Sequence, residues 1–196
     1  MIDQGKRSAV IDIKTMRGRE VFNKLVSWAD VVVHNVLDDT ADRLGVSHAQ
    51  LKVINPNIIT CQMSSYGGPI RGIWEKRGGF DNLMQAATGL QAQFGTLEKP
   101  HDHGGITCGD VPGGISSAFA ILLAVYQQRK TGYAGEARAS LARVMNYAQL
   151  PYMIAENGNS DWGEAHGQFA LGESWYQRLY QCSDGWIYVE TTKARA

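Results

Sequence analysis

The chain has 196 residues, 44% of them apolar and 19% charged, which is length and greasiness enough for one domain with a real core, or one and a half. Nineteen basic residues balance nineteen acidic ones, so the broad electrostatic footprint that nucleic acid or an anionic membrane would need is missing. The longest apolar run, Ala118 to Val125, is too short to span a bilayer.

Ser8 to Ile13 (SAVIDI) reads as a short strand of branched residues. Thr15 then caps a helix whose inward face is expected at Val21, Phe22, Leu25 and Trp28, with Asp30 ending it. Val31 to Val33 follow as an apolar strand closing on His34 and Asn35, completing a βαβ unit. Asp38 to Leu44 predicts a short helix stopped by Gly45. Ser47, with Gln50 three positions on, is a capping box for another through Ile54. Asn55-Pro56-Asn57 is a turn, and Ile58 to Met63 the next strand, with Ser64 and Ser65 at its C-terminal end. Continuous apolar strands of this kind suit a parallel sheet covered on both faces, an α/β fold of the doubly wound type. Such sheets gather ligands at the strands' C-terminal edge, where Asp12, Lys14, Asn35 and Ser65 are expected around one crevice.

Phe80 to Gly89 reads as a helix starting near Asp81, with Leu83, Met84 and Ala87 inward. A loop bearing glycines and His101-Asp102-His103 leads to Gly104–Gly132, where a glycine-lined turn carries Asp110 into an apolar helix. Ile115, Ala118, Phe119, Leu122 and Tyr126 recur there at helical spacing, Pro112 sits in the tolerant first turn, and Gly132 supplies a left-handed stop. Ala137 to Val144 starts extended and turns helical into Tyr152. Glu156 to Gly172 reads as a surface excursion, and Trp175–Cys182 with Trp186–Val189 form a hairpin around Ser183-Asp184-Gly185.

Asp110 admits two readings. It is either an N-cap accepting free backbone N–H groups, the commoner use of an aspartate there, or a carboxylate nucleophile. Gly109, Gly113 and Gly114 would suit the second by letting an acyl group reach the carboxylate, with backbone N–H groups nearby to hold a developing oxyanion, but the local pattern does not choose between the two. Other candidates are weaker. His101-Asp102-His103 lacks a third metal ligand at a recognisable spacing, so a solvated loop is expected and no metal. Cys108 suits packing better than catalysis, and Ser64 and Ser65 lack a hydrolase elbow. No Walker or G-x-G-x-x-G loop occurs; Lys14, Arg43, Arg71 and Arg77 are each able to pair with a phosphate. Three cysteines, Cys61, Cys108 and Cys182, without a C-x-x-C pair fit a reducing, cytoplasmic setting, and no signal peptide is expected.

Five stretches in register, GKRSAVIDIKTMRGREVF, ADVVVHNVLDDTADRLG, NPNIITCQMSSYG, RGGFDNLMQAATGL and CGDVPGGISSAFAILLAVYQQRKTG, together resemble the family III CoA-transferases; EARASLARVMNY and LYQCSDGWIYV match more loosely. That family includes formyl-CoA transferase, carnitine CoA-transferase and 2-methylacyl-CoA racemase. The resemblance implies a Rossmann-like core in which the nucleophile falls on Asp110. It puts CoA contacts on Ile11, Asp12, Ile13 and Lys14, then Asn35 and Arg43, and then Arg77 and Phe80 in the next block. It further implies coenzyme A or acyl-CoA as substrate, no permanently bound cofactor, a carboxylic acid acceptor, aspartyl intermediates, and an interlocked homodimer with no nucleic acid or membrane partner.

Racemase relatives carry a histidine where this chain has Phe80, which removes one base and lowers an acyl-CoA racemase or epimerase reading. The glycine run that closes over the nucleophile in transferase relatives is reduced to scattered glycines in Glu156–Gly172. Family members also carry a strand before the first motif and a small domain after the last, so an internal fragment is expected. Residues 1–150 would be the α/β CoA-binding core with the catalytic turn, and 151–196 a linker and the start of a β-hairpin segment. A non-catalytic CoA-binding remnant is the rival from another class.

Overall fold

The structure, a computed structural model, describes residues 3–67, 72–104, 108–150 and 170–192. By its internal contacts the chain divides into two compact units, residues 1–78 with 113–140, and residues 79–112 with 141–196.

The first unit is built on a parallel sheet. Helix α1 (Met16–Trp28) begins where the Thr15 hydroxyl oxygen accepts the Gly18 N–H at 3.1 Å. Strand β1 (Val31–His34) follows, then α2 (Asp38–Leu44), ended by Gly45 at φ 68°, a left-handed stop that glycine adopts without a Cβ penalty. Helix α3 (His48–Ile54) carries the expected capping box, Gln50 Oε1 accepting the Ser47 hydroxyl at 2.8 Å and the Ser47 N–H at 3.3 Å. Strands β2 (Ile59–Ser64) and β3 (Glu136–Ser140) complete the order β1-β2-β3, all parallel, with Val32 opposite Thr60 and Thr60 opposite Glu136. Val26, Leu51 and Ile58 form the core against one face of this sheet, with Phe22, Ala29, Val32 and Ile54 around them. Helix α6 (Asp110–Thr131) serves the opposite face, where Ser117 meets the Cys61 thiol. Helices on both sides of a parallel sheet are the doubly wound arrangement expected from the apolar strands.

Three expectations need correction here. Ser8–Ile13 forms no strand, since a strand requires a hydrogen-bonded neighbour; among the described residues none pairs with it, and Val10 is 100% exposed. The inward stripe of α1 runs through Phe22 and Val26, whereas Trp28 is 84% exposed and Val21 and Leu25 also face outward. Helix α6 turns its small side inward, burying Gly113 and Ser117, while Ile115, Ala118, Phe119, Leu122 and Tyr126 are exposed. In both helices the apolar residues span more than one stripe, so periodicity alone does not say which one meets a partner.

The second unit contains α4 (Asp81–Ala87), α5 (Leu90–Phe94), a helix where a loop is expected, and α7 (Leu141–Ala148). Helices α4 and α7 pack through the fully buried Met84 and Met145. Helix α4 also departs from expectation: Leu83 and Ala87 face outward, and Asp81 and Gln85 are buried beside Met84. An antiparallel sheet holds β4 (Gly172–Ser174), β5 (Gln177–Gln181) and β6 (Trp186–Glu190). Its hairpin is the expected one, Gln181 opposite Trp186 and the Cys182 N–H donating to the Gly185 carbonyl at 2.8 Å. Of the surface excursion expected over Glu156–Gly172, with its scattered glycines, residues 156–169 lie outside the described residues, as does Arg71.

Candidate active site

Helix α6 opens at Asp110, and the residue ahead of it is a glycine without a side chain to cap the helix. The cap arrives from α4 instead. Asp81 Oδ2 accepts the Gly109 N–H at 2.8 Å and the Asp110 N–H at 2.9 Å. Its other oxygen accepts Gln85 Nε2 at 2.6 Å, and Gln85 Oε1 in turn accepts the His103 N–H at 3.0 Å. Asp81 is only 5% exposed. Burial opposes its charge, but hydrogen bonds from Gln85 and from the amides of Asp110, Gly109 and Cys108 outweigh it, holding the carboxyl below its usual range. A buried, ionised, fully hydrogen-bonded carboxylate therefore sits under the turn.

Asp110 is its opposite. Its side chain is exposed, and among the described residues no hydrogen bond reaches the carboxylate. Partial desolvation and the negative charge of Asp81 push its carboxyl above the usual range. The N-cap reading of Asp110 is thereby corrected: the capping carboxylate is Asp81. Of the backbone N–H groups expected to hold an oxyanion, those of Gly109 and Asp110 are taken by Asp81, and Pro112 has none to offer. Gly109 serves packing rather than access, since a Cβ there would stand 2.2 Å from Met145 Cε. Gly114 does border open space, its Cβ position meeting nothing within 4 Å.

Neighbouring groups have structural duties. Burial, then Asp81 and Asp102, push the Cys108 thiol up, which removes thiolate at neutral pH. The Asp102 carboxylate accepts Asn82 Nδ2 at 2.9 Å, and the His103 ring lies tilted against Phe94 with centroids 4.4 Å apart. Among the described residues no cluster of three His, Cys, Asp or Glu is placed to hold a metal ion.

The expected CoA-binding residues separate into groups. Ile13, Lys14 and Arg43 line one open cavity of about 500 Å³, together with Thr15, Met16, Arg19 and Leu44. Three cations and no acid face it, at the N-terminus of α1, where the helix dipole adds to their attraction for an anion. Arg19 was missed in the sequence reading; its guanidinium donates to the Leu44 and Gly45 carbonyls, which close the end of α2. Asp12 shapes this edge, its carboxylate accepting the Lys14 N–H at 3.0 Å and its carbonyl the Thr15 hydroxyl at 2.9 Å. Asp12, Asn35 and Ser65 do not line the cavity; Ile11 is half-buried, Asn35 is exposed, and the buried Ser65 accepts the Ser140 hydroxyl through its carbonyl at 3.1 Å. Arg77 lies over the Trp74 ring at 5.5 Å, and Phe80, 83% exposed, stands just before α4.

A second cavity of the first unit, about 250 Å³, was not anticipated. His34, Asp38, His48, Glu136 and Arg138 line it, Arg138 pairing with Glu136 at 2.9 Å and Asp38 at 3.3 Å. Its parts lie on β1, α2, α3 and β3, and no local pattern links them.

Comparison with solved structures gives the class of this fold. A CAIB/BAIF family protein from Brucella suis superposes with a TM-score of 0.76 at 27% identity, over 95% of this chain and 48% of that one. The chain belongs to CoA-transferase family III, whose family profile matches residues 1–196. It is 36% identical over 187 residues to the CoA-transferase/lyase DddD of Marinomonas sp. (strain MWYL1), covering 95% of this chain and 22% of that protein. Identity to the human succinyl-CoA:glutarate CoA-transferase is 26% over 194 residues, 96% of this chain and 42% of the relative. The chain thus spans less than half the length of these curated relatives, and the family expected from its motifs is the one it belongs to.

Proposed function

We propose that the protein transfers CoA between an acyl-CoA thioester and a free carboxylic acid, with Asp110 as the nucleophile. The observation that supports this most is that Asp110 stands at a helix start with its carboxylate exposed and relieved of capping by Asp81. A carboxylate whose pKa is raised is also a stronger nucleophile once ionised.

In this reading an Asp110 oxygen attacks the thioester carbon and the CoA thiolate leaves, giving an acyl–aspartyl anhydride. The thiolate then attacks the aspartyl carbonyl and releases the donor carboxylate, leaving an aspartyl-CoA thioester. An acceptor carboxylate attacks that carbonyl in turn, freeing thiolate, which closes on the acceptor's acyl carbon and restores Asp110. Each step exchanges one activated acyl bond for another, so no single barrier is large. Lys14 and Arg43, at the cationic cavity of α1, hold phosphate oxygens of CoA, and Ile13 lines the same wall. Ile11, Asp12, Asn35, Arg77 and Phe80 are carried into the CoA site by family resemblance. A cytoplasmic homodimer belongs to the same reading. The racemase alternative asks for a base at Phe80, which has no ionisable group.

The test is chemical trapping. The chain is mixed with succinyl-CoA, the donor in the human relative's name, and quenched with hydroxylamine. A hydroxamate mapped to Asp110 by mass spectrometry, and lost in Asp110→Ala, is expected. CoA binding without any adduct would overturn the transferase reading in favour of a binding remnant; α-carbon deuterium exchange without adduct would favour a racemase.

A further inference from the structure

Position 109 is a glycine, and the helix start takes its cap from another element. A capping side chain at that position is the ordinary solution for a helix start, but its Cβ would stand 2.2 Å from Met145 Cε and 3.4 Å from Asp81 Oδ2. The cap comes from Asp81, although an acceptor such as serine or asparagine would satisfy the same two amides without bringing a buried charge. The carboxylate is instead locked from behind by Gln85, itself 1% exposed and engaged with the His103 N–H.

We propose that Asp81, held by Gln85, is the positioning residue for the Asp110 nucleophile: it takes the helix cap that Asp110 would otherwise fill, and it sets a fixed negative charge beside the attacking carboxylate. The inference rests on the nucleophile reading and adds a second residue to it. Without Asp81, the Asp110 side chain would fold back onto the vacated amides, where hydrogen bonds quench a carboxylate's basicity. With Asp81 in place, the Asp110 carboxylate remains outside, and desolvation, with the neighbouring charge added to it, holds its pKa up. Asp81 touches no reacting atom in this scheme and acts only through the Asp110 backbone and its field.

Two variants separate charge from architecture. Asp81→Asn keeps an oxygen for the Gly109 and Asp110 amides but turns an amide donor toward Gln85 Nε2, which is also a donor. Adding Gln85→Glu restores donor against acceptor, and moves the charge off the group that touches Asp110. Urea unfolding, carbon-detected titration of the Asp110 carboxyl, and hydroxamate formation with succinyl-CoA are measured for each. Stability should fall in the single variant and recover in the double. In both, the Asp110 titration should move down toward the ordinary carboxylate range, and hydroxamate formation should slow about tenfold. A double variant that regains stability, titration and rate together would show that Asp81 is architecture alone, and would overturn the proposal. Should the unmodified chain form no hydroxamate, the nucleophile reading falls separately. The titration then decides by itself, a downward move upholding the charge placement and an unchanged one overturning it.

Discussion

Asp81 Oδ2 accepts the Asp110 N–H at 2.9 Å, a contact between residues 29 positions apart. It gives the two carboxylates opposite environments, one buried and hydrogen-bonded on both oxygens, the other exposed. Paired groups whose surroundings drive their acidities apart are a recurrent sign of divided labour at reactive sites.

Removing the buried partner should be far costlier than removing the exposed one. Asp81→Ala leaves the Gly109 and Asp110 amides and the Gln85 amide without an acceptor, and should lower unfolding stability by about 3 kcal/mol. Asp110→Ala should stay within about 0.5 kcal/mol of the parent. Urea midpoints at neutral pH decide this; equal losses would contradict the network.

The two carboxyls also predict opposite pH dependences. Asp81 has a depressed pKa in the folded state, so its stabilisation is present above the ordinary carboxylate range and is lost as pH falls through the folded value. Asp110 has a raised one, so its ionisation costs stability at neutral pH, and that cost is relieved as pH falls through its folded value. Asp81→Asn should therefore flatten the acid limb of a stability–pH curve and Asp110→Asn should steepen it. Unfolding midpoints collected across the acid range read both slopes.

Glycines 109 and 114 should respond with opposite signs. Gly109→Ala forces the buried Met145 methyl, the end of a flexible side chain, to shift and should cost about 1 kcal/mol. Gly114→Ala meets nothing within 4 Å on an exposed helix face and should gain up to about 1 kcal/mol from helix propensity. Thermal melts of the two variants suffice, and destabilisation of both would mean that the helix start is tight on all sides.

In α1, Val26 and Trp28 test the corrected face. Val26→Ala opens a cavity against Leu51 and Ile58 and should cost about 2 kcal/mol, while Trp28→Ala should be nearly neutral. A larger loss at Trp28 would restore the face expected from sequence.

At the cationic cavity, Lys14→Gln and Arg43→Gln should each weaken CoA binding about tenfold, an effect that shrinks as salt rises. Calorimetry at low and high ionic strength gives both numbers. Unchanged affinity in the two variants would move the CoA site elsewhere.

What could be read ahead of the structure was local. The Ser47–Gln50 box, the Gly45 and Gly132 stops and the Ser183–Gly185 hairpin each rest on contacts within a few residues, and all appear where expected. The family motifs likewise led to the right family, because each is a contiguous string. Faces of helices were not legible: α6 carries apolar residues nearly all round, and α4 hides an aspartate and a glutamine that hydropathy assigns to solvent.

The amino-acid order by itself determined which segments coil, which extend, where helices stop, and that an aspartate opens α6. Only the folded chain decided what surrounds that aspartate's carboxylate. Gly109 has no side chain and packs against Met145; the cap is drawn from a helix far back in the chain, and its charge comes with it. Propensity is a property of neighbours along the chain, whereas the acidity and freedom of a carboxylate are set by whatever tertiary packing brings to it.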